Sequence, residues 1–115
     1  MDIETIRNIC THLPHVTEDI KWEHDLVFLI GEKMFCVTGL DENPVSASFK
    51  ASDELFEELS NLPGFKPAPY LARYKWILVE DISILKKVEL ESYVKQSYEL
   101  VKAKLPAKIR KSFED

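Results

Sequence analysis

Apolar residues recur first at helical spacing and then at the spacing of strands, and the changes of period mark the elements. Ile3, Ile6, Ile9, Cys10 and Leu13 predict a first helix, capped by Asp2 and favoured by Glu4 near the positive end of its dipole. Pro14 ends it. The stretch HVTEDIKWEHD is polar and poorly periodic, and reads as a connection with room for a short strand near Ile20 to Trp22. Leu26 to Ile30, a Gly31-Glu32 turn and Lys33 to Gly39 then predict a hairpin, because β-branched and aromatic residues flank a two-residue loop whose glycine accepts positive φ. After the turn LDENP, Val45, Ala47 and Phe49 alternate with Ser46, Ser48 and Lys50, giving a third strand with one buried and one wet face.

Ser52 caps a second predicted helix, with Asp53 and Glu54 in its first turn and Leu55, Phe56, Leu59 and Leu62 on its inner side, stopped by Pro63-Gly64. Lys75 to Glu80 has strand character. From Glu89 onward, Leu90, Val94, Ser97, Tyr98, Val101 and Leu105 form one face of a long helix, with Glu91, Lys95, Glu99 and Lys102 on its solvated side. Strands this close in sequence leave no room for parallel crossovers. The expectation is an α+β fold, a two-layer sandwich of helices on one face of an antiparallel sheet, in a single domain over residues 1–115 without repeats or linker.

Composition adds little except through charge. The chain is 45% hydrophobic and 30% charged, which fits an ordinary globular protein that folds without a disulfide or metal. No apolar run is long enough for a membrane helix and the first residues include acids where a signal peptide carries cations, so the expected location is the cytoplasm. Cys10 and Cys36 are then expected as reduced core residues. The net charge of −5 conceals an asymmetry: residues 1–65 carry four basic and thirteen acidic side chains, residues 66–115 eleven basic and seven acidic. A basic half can attract polyanions in an acidic chain.

Catalytic patterns are absent. His12, His15 and His24 lack the partners of a metal-ligand spacing, with Pro14 between the first two, Ser60, Ser92 and Ser97 fall in helical context without a nucleophile elbow, and the three glycines form no phosphate loop. Adjacent acids such as Glu18-Asp19 and Asp41-Glu42 point apart unless a pocket gathers them. No enzyme, cofactor or metal is expected. Two features remain. In PAPYLARYKW, Tyr70, Tyr74 and Trp76 offer rings for stacking beside Arg73 and Lys75. In KAKLPAKIRK, Lys102, Lys104, Lys108, Arg110 and Lys111 gather positive charge around Pro106. The same residues also fit structural work, with Pro67 and Pro69 shaping an extended lead-in to a strand, Trp76 anchoring the core and the lysines complementing a helix terminus.

IRNICTHLP, VFLIGEKMFCVTGLDE, SFKAS, PAPYLARYKWILVE and SYELVKAKLPAKIRK follow one another in an order and spacing that resemble the MmcQ/YjbR family of small bacterial domains, over nearly the whole chain. The resemblance implies a two-layer α-β(3)-α-β(2)-α order, similar to type III secretion chaperones. It also implies DNA binding by a double wing, which here would involve the Gly31-Glu32 hairpin and the segment from Tyr70 to Trp76. The expected function is a non-enzymatic binding module for DNA or RNA, with Arg73, Lys75, Lys104, Lys108, Arg110 and Lys111 on phosphates and Tyr70 and Trp76 as stacking or wedge groups. The alternative is a chaperone-like module that takes a partner peptide.

Overall fold

A computed structural model describes residues 1–114. The elements run α1 (Ile3–Thr11), β1 (Val16–Lys21), β2 (Asp25–Ile30), β3 (Lys33–Gly39), β4 (Ala47–Lys50), α2 (Asp53–Ser60), β5 (Phe65–Pro67), β6 (Trp76–Val79), α3 (Lys87–Ala103) and α4 (Ala107–Ser112). All strand pairs are antiparallel, in the order β1-β2-β3-β4-β6-β5. Helices and sheet share one core, in which Leu26, Phe28, Ile30, Phe49, Ile77 and Val79 of the sheet meet Ile6, Cys10, Leu59, Leu90, Val94 and Tyr98 of the helices. The α+β class expected from the periodicity is the one observed.

The helices begin where the capping residues stand. Asp2 accepts from the Thr5 N–H, Ser52 from the Leu55 N–H, and Glu89 from the Lys86 N–H, each filling a donor that the first turn leaves unpaired. Ser97, buried in the middle of α3, donates to the Phe35 carbonyl at 2.6 Å and accepts from the Lys50 N–H at 2.9 Å, fastening the helix to β3 and β4. Between Phe28 and Leu29 the β2–β3 register slips by a residue. The bulge lets consecutive residues Phe35 and Cys36 both enter the core, which strict alternation forbids. Cys10 is buried beside Cys36, and burial pushes its thiol far above the ordinary range.

Four elements differ from expectation. The polar connection contains a full strand, β1, whose six residues all pair with β2. Only Val16 and Lys21 of it are half-buried, so an edge strand held by backbone bonds left no hydrophobic alternation to read. Trp22, placed at its end by the sequence, instead turns the chain with Glu23, both at positive φ. β5 is only three residues long and shows no period. The tail after Pro106, for which the sequence predicts no element, forms α4, and α2 stops at Ser60, leaving Leu62 exposed.

Candidate nucleic-acid interface

Antiparallel register decides which loops are neighbours. Ile30, Lys33, Lys50, Trp76 and Pro67 close one end of the sheet, as the partners Ile30 with Lys33, Lys50 with Trp76 and Pro67 with Ile77 require. The Gly31-Glu32 turn and the loop from Ala68 to Lys75 therefore project from the same end. α4 joins them. Gly31, at φ +56°, lies against Leu105 and Ile109, so closely that a Cβ there would come within 2.7 Å of the Leu105 side chain. The Phe113 ring stacks on His15, just before β1, at 4.6 Å between centroids. Six strands spaced by ~4.8 Å make this end roughly 24 Å wide.

Of the eight residues singled out in the sequence, Tyr70, Arg73, Lys75 and Trp76 belong to this end, Lys104 is near enough to Lys50 to lower its basicity, and Lys108, Arg110 and Lys111 are carried by α4. Arg73 is exposed, with its guanidinium 5.0 Å from the Tyr74 ring centre. Lys75 takes a left-handed conformation and sets its ammonium 5.1 Å from the Phe56 ring centre. Lys104, Lys108, Arg110 and Lys111 are exposed, and Arg110 donates through Nε to the Leu105 carbonyl at 3.0 Å. Among the described residues none of these six cations makes an ion pair, whereas Arg7, Lys66 and Lys87 all do. Lys50 belongs with them: burial, and after it the charge of Lys104, holds its ammonium below the ordinary range. Acids are present too, with Glu32 at the hairpin tip and Glu99 near Arg110.

The rings divide. Tyr70 is 98% exposed on a left-handed backbone, and Tyr74 is 52% exposed. Trp76 is 5% exposed. It lies on the helix-free face beneath a turn that bonds it twice, the Ala68 N–H donating to the Trp76 carbonyl and the Trp76 N–H to the Leu71 carbonyl. The expected stacking role for Trp76 is thus corrected to an anchoring one, and Tyr70 and Tyr74 hold the free faces.

What the sequence missed is a groove of about 640 Å³ on that helix-free face. Met34, Val37, Leu78 and Ala68 form its apolar part, Ser46 and Ser48 add hydroxyls, Asp25 and Glu42 add carboxylates, and Trp22 and Tyr70 flank it. A tryptophan in the otherwise polar KWEHD was the available signal. The histidines are engaged elsewhere, His12 with the Asn8 carbonyl, His15 on Phe113 and His24 with Asp41 at 2.7 Å. No metal-binding group of His, Cys, Asp or Glu occurs among the described residues.

The YjbR family model matches residues 11–100. The chain belongs to the YjbR family. Within this family setting, two solved structures resemble it. A Deinococcus radiodurans protein with a DUF419 domain has 26% sequence identity and a TM-score of 0.88, over 97% of this chain and 87% of that one. A Pseudomonas syringae protein has 21% identity and a TM-score of 0.72, over 87% of this chain and 98% of that one, a likeness of fold alone. No curated protein matches the chain. No helix among the described residues is long and apolar enough to cross a membrane.

Proposed function

We propose that this YjbR domain is a non-enzymatic module that binds nucleic acid through the end of its sheet. The observation that carries the reading is that, among the described residues, none of Arg73, Lys75, Lys104, Lys108, Arg110 and Lys111 makes an ion pair, while Tyr70, in the loop that carries Arg73, is exposed. An unpaired surface cation keeps its full charge for a phosphate, and neutralising several phosphates releases counterions, which is the main source of affinity in such complexes. Tyr70 and Tyr74 supply π-faces on which an unstacked base can lie, with Arg73 beside them. The net negative charge of the chain opposes the approach, so binding depends on the charges concentrated at this end.

Fluorescence anisotropy with labelled single- and double-stranded DNA and RNA oligonucleotides at low salt tests the reading. The expected result is a complex that weakens steeply with added salt and at least roughly tenfold in a Lys108→Glu, Arg110→Glu double variant. Absence of a complex with every probe, or unchanged affinity after charge reversal in a folded variant, overturns it.

A further inference from the structure

The groove on the helix-free face carries chemistry opposite to that of the basic end. Its lining includes no lysine, arginine or histidine, but it includes Asp25 and Glu42. Both carboxylates are placed with some definition. Glu42 lies across Gly39, where a Cβ would come within 2.8 Å of its side chain, so the missing side chain is what lets the acid lie against the sheet. The buried Ser46 donates its hydroxyl to the same carboxylate. Asp25 has no hydrogen-bond partner for its carboxyl among the described residues, and it is half-buried in the groove wall. On the flanks, Trp22 is 65% exposed and Tyr70 98% exposed, two large rings left to solvent beside an apolar floor.

We propose that this groove is a binding site for a small organic cation, an apolar body bearing an ammonium or amidinium group. Apolar contacts with Met34, Val37 and Leu78 hold the body. Asp25 and Glu42 face the charge, and the Trp22 and Tyr70 rings attract it through their π-faces. The volume, about 640 Å³, is that of a small-molecule cleft. Charge complementarity selects the occupant: an anion would meet two carboxylates with no cation in the groove lining, and a neutral ligand would gain nothing from them. The groove shares Tyr70 with the proposed nucleic-acid surface, but Trp22, Asp25 and Glu42 take no part in that surface, so substitutions at these three residues test the groove alone.

The test uses three probes of matched length, octylammonium, octanol and octanoate, titrated into the full chain with isothermal calorimetry and amide chemical shifts as readouts. Octylammonium is expected to bind about tenfold more tightly than octanol and octanoate not at all, with shifts centred on Val37, Ser48 and Leu78. In an Asp25→Asn, Glu42→Gln double variant the preference over octanol disappears while the fold, checked by the same spectra, is kept. Equal affinity for octylammonium and octanol, discrimination that survives in the double variant, or shifts centred elsewhere overturns the proposal. A Leu-Lys-Leu peptide that binds this groove more tightly than octylammonium also overturns it, since the occupant is then a protein segment. Trp22→Ala is expected to weaken octylammonium and leave oligonucleotide binding unchanged, which separates failure of this site from failure of the basic end.

Discussion

The ammonium of Lys50 donates to the main-chain carbonyl of Tyr74 at 2.8 Å, tying the last residue of β4 to the loop that presents Tyr70 and Arg73. The loop has few other fastenings to the body of the protein: the Ala51 N–H donates to the Lys75 carbonyl at 2.8 Å, and the Trp76 backbone makes the two bonds already described. Replacing Lys50 by Met keeps the apolar stem and removes the donor. Amide hydrogen exchange at Tyr74 and Lys75 is expected to quicken roughly fivefold, corresponding to a hydrogen bond worth ~1 kcal/mol, while Val94 in α3 is unchanged.

Ser97 is the polar residue on which the two layers meet. Ser97→Ala leaves the Phe35 carbonyl and the Lys50 N–H without their shared partner, and the expected loss is about 2 kcal/mol in urea denaturation. Ser92→Ala, on the exposed side of the same helix, is expected to stay within about 0.5 kcal/mol of the parent.

Trp76 and Tyr70 are separated by one turn of chain and opposite in burial, so they should separate cleanly by experiment. Trp76→Ala is expected to cost about 3–5 kcal/mol, as for a large ring removed from a packed site. Tyr70→Ala is expected to change stability by less than about 0.5 kcal/mol and to weaken oligonucleotide binding. A stable Trp76→Ala variant with lost binding would reverse the two roles.

Acid stability depends on carboxylates with opposite signs. The Thr5 N–H and then its hydroxyl hold Asp2 below its ordinary 3.8, and the Ser83 hydroxyl and then its N–H do the same for Asp81. Their contribution is therefore present above pH 3.8 and lost as the pH falls through the folded values. Asp25 runs the other way, raised by burial and then by Glu42, so its contribution is present below pH 3.8 and lost as the pH rises through its folded value. Thermal unfolding followed from about pH 5 to pH 3 should fall less steeply in Asp2→Asn and Asp81→Asn, and more steeply in Asp25→Asn. At neutral pH, Asp25→Asn should gain less than about 1 kcal/mol, because the side chain is largely solvated.

Legibility followed the size of the hydrophobic signal. α3 was readable because Leu90, Val94, Tyr98 and Val101 recur over about three turns on one buried face. β2 and β3 were readable because their apolar runs flank a turn that has to admit positive φ at Gly31. β1 was not, since Thr17 to Ile20 are all exposed and the strand is defined by its backbone pairing with β2, which leaves no hydrophobic alternation to read. The cations of the candidate interface could be counted in the sequence, but neither Lys50 as their companion nor the groove could, because both depend on which strands lie side by side.

Periodicity, caps and turn residues by themselves determined the class of the fold, the long helix, the central hairpin and the basic character of the second half, all of them properties of neighbours along the chain. Tertiary structure alone decided that the Gly31-Glu32 turn and the loop carrying Arg73 leave the same end of the sheet, that Trp76 is covered while Tyr70 is free, and that Asp25 and Glu42 share a groove. The reason is physical: an antiparallel register reverses direction at every turn, so the distance between two side chains is set by strand order and pairing, quantities that local spacing does not contain.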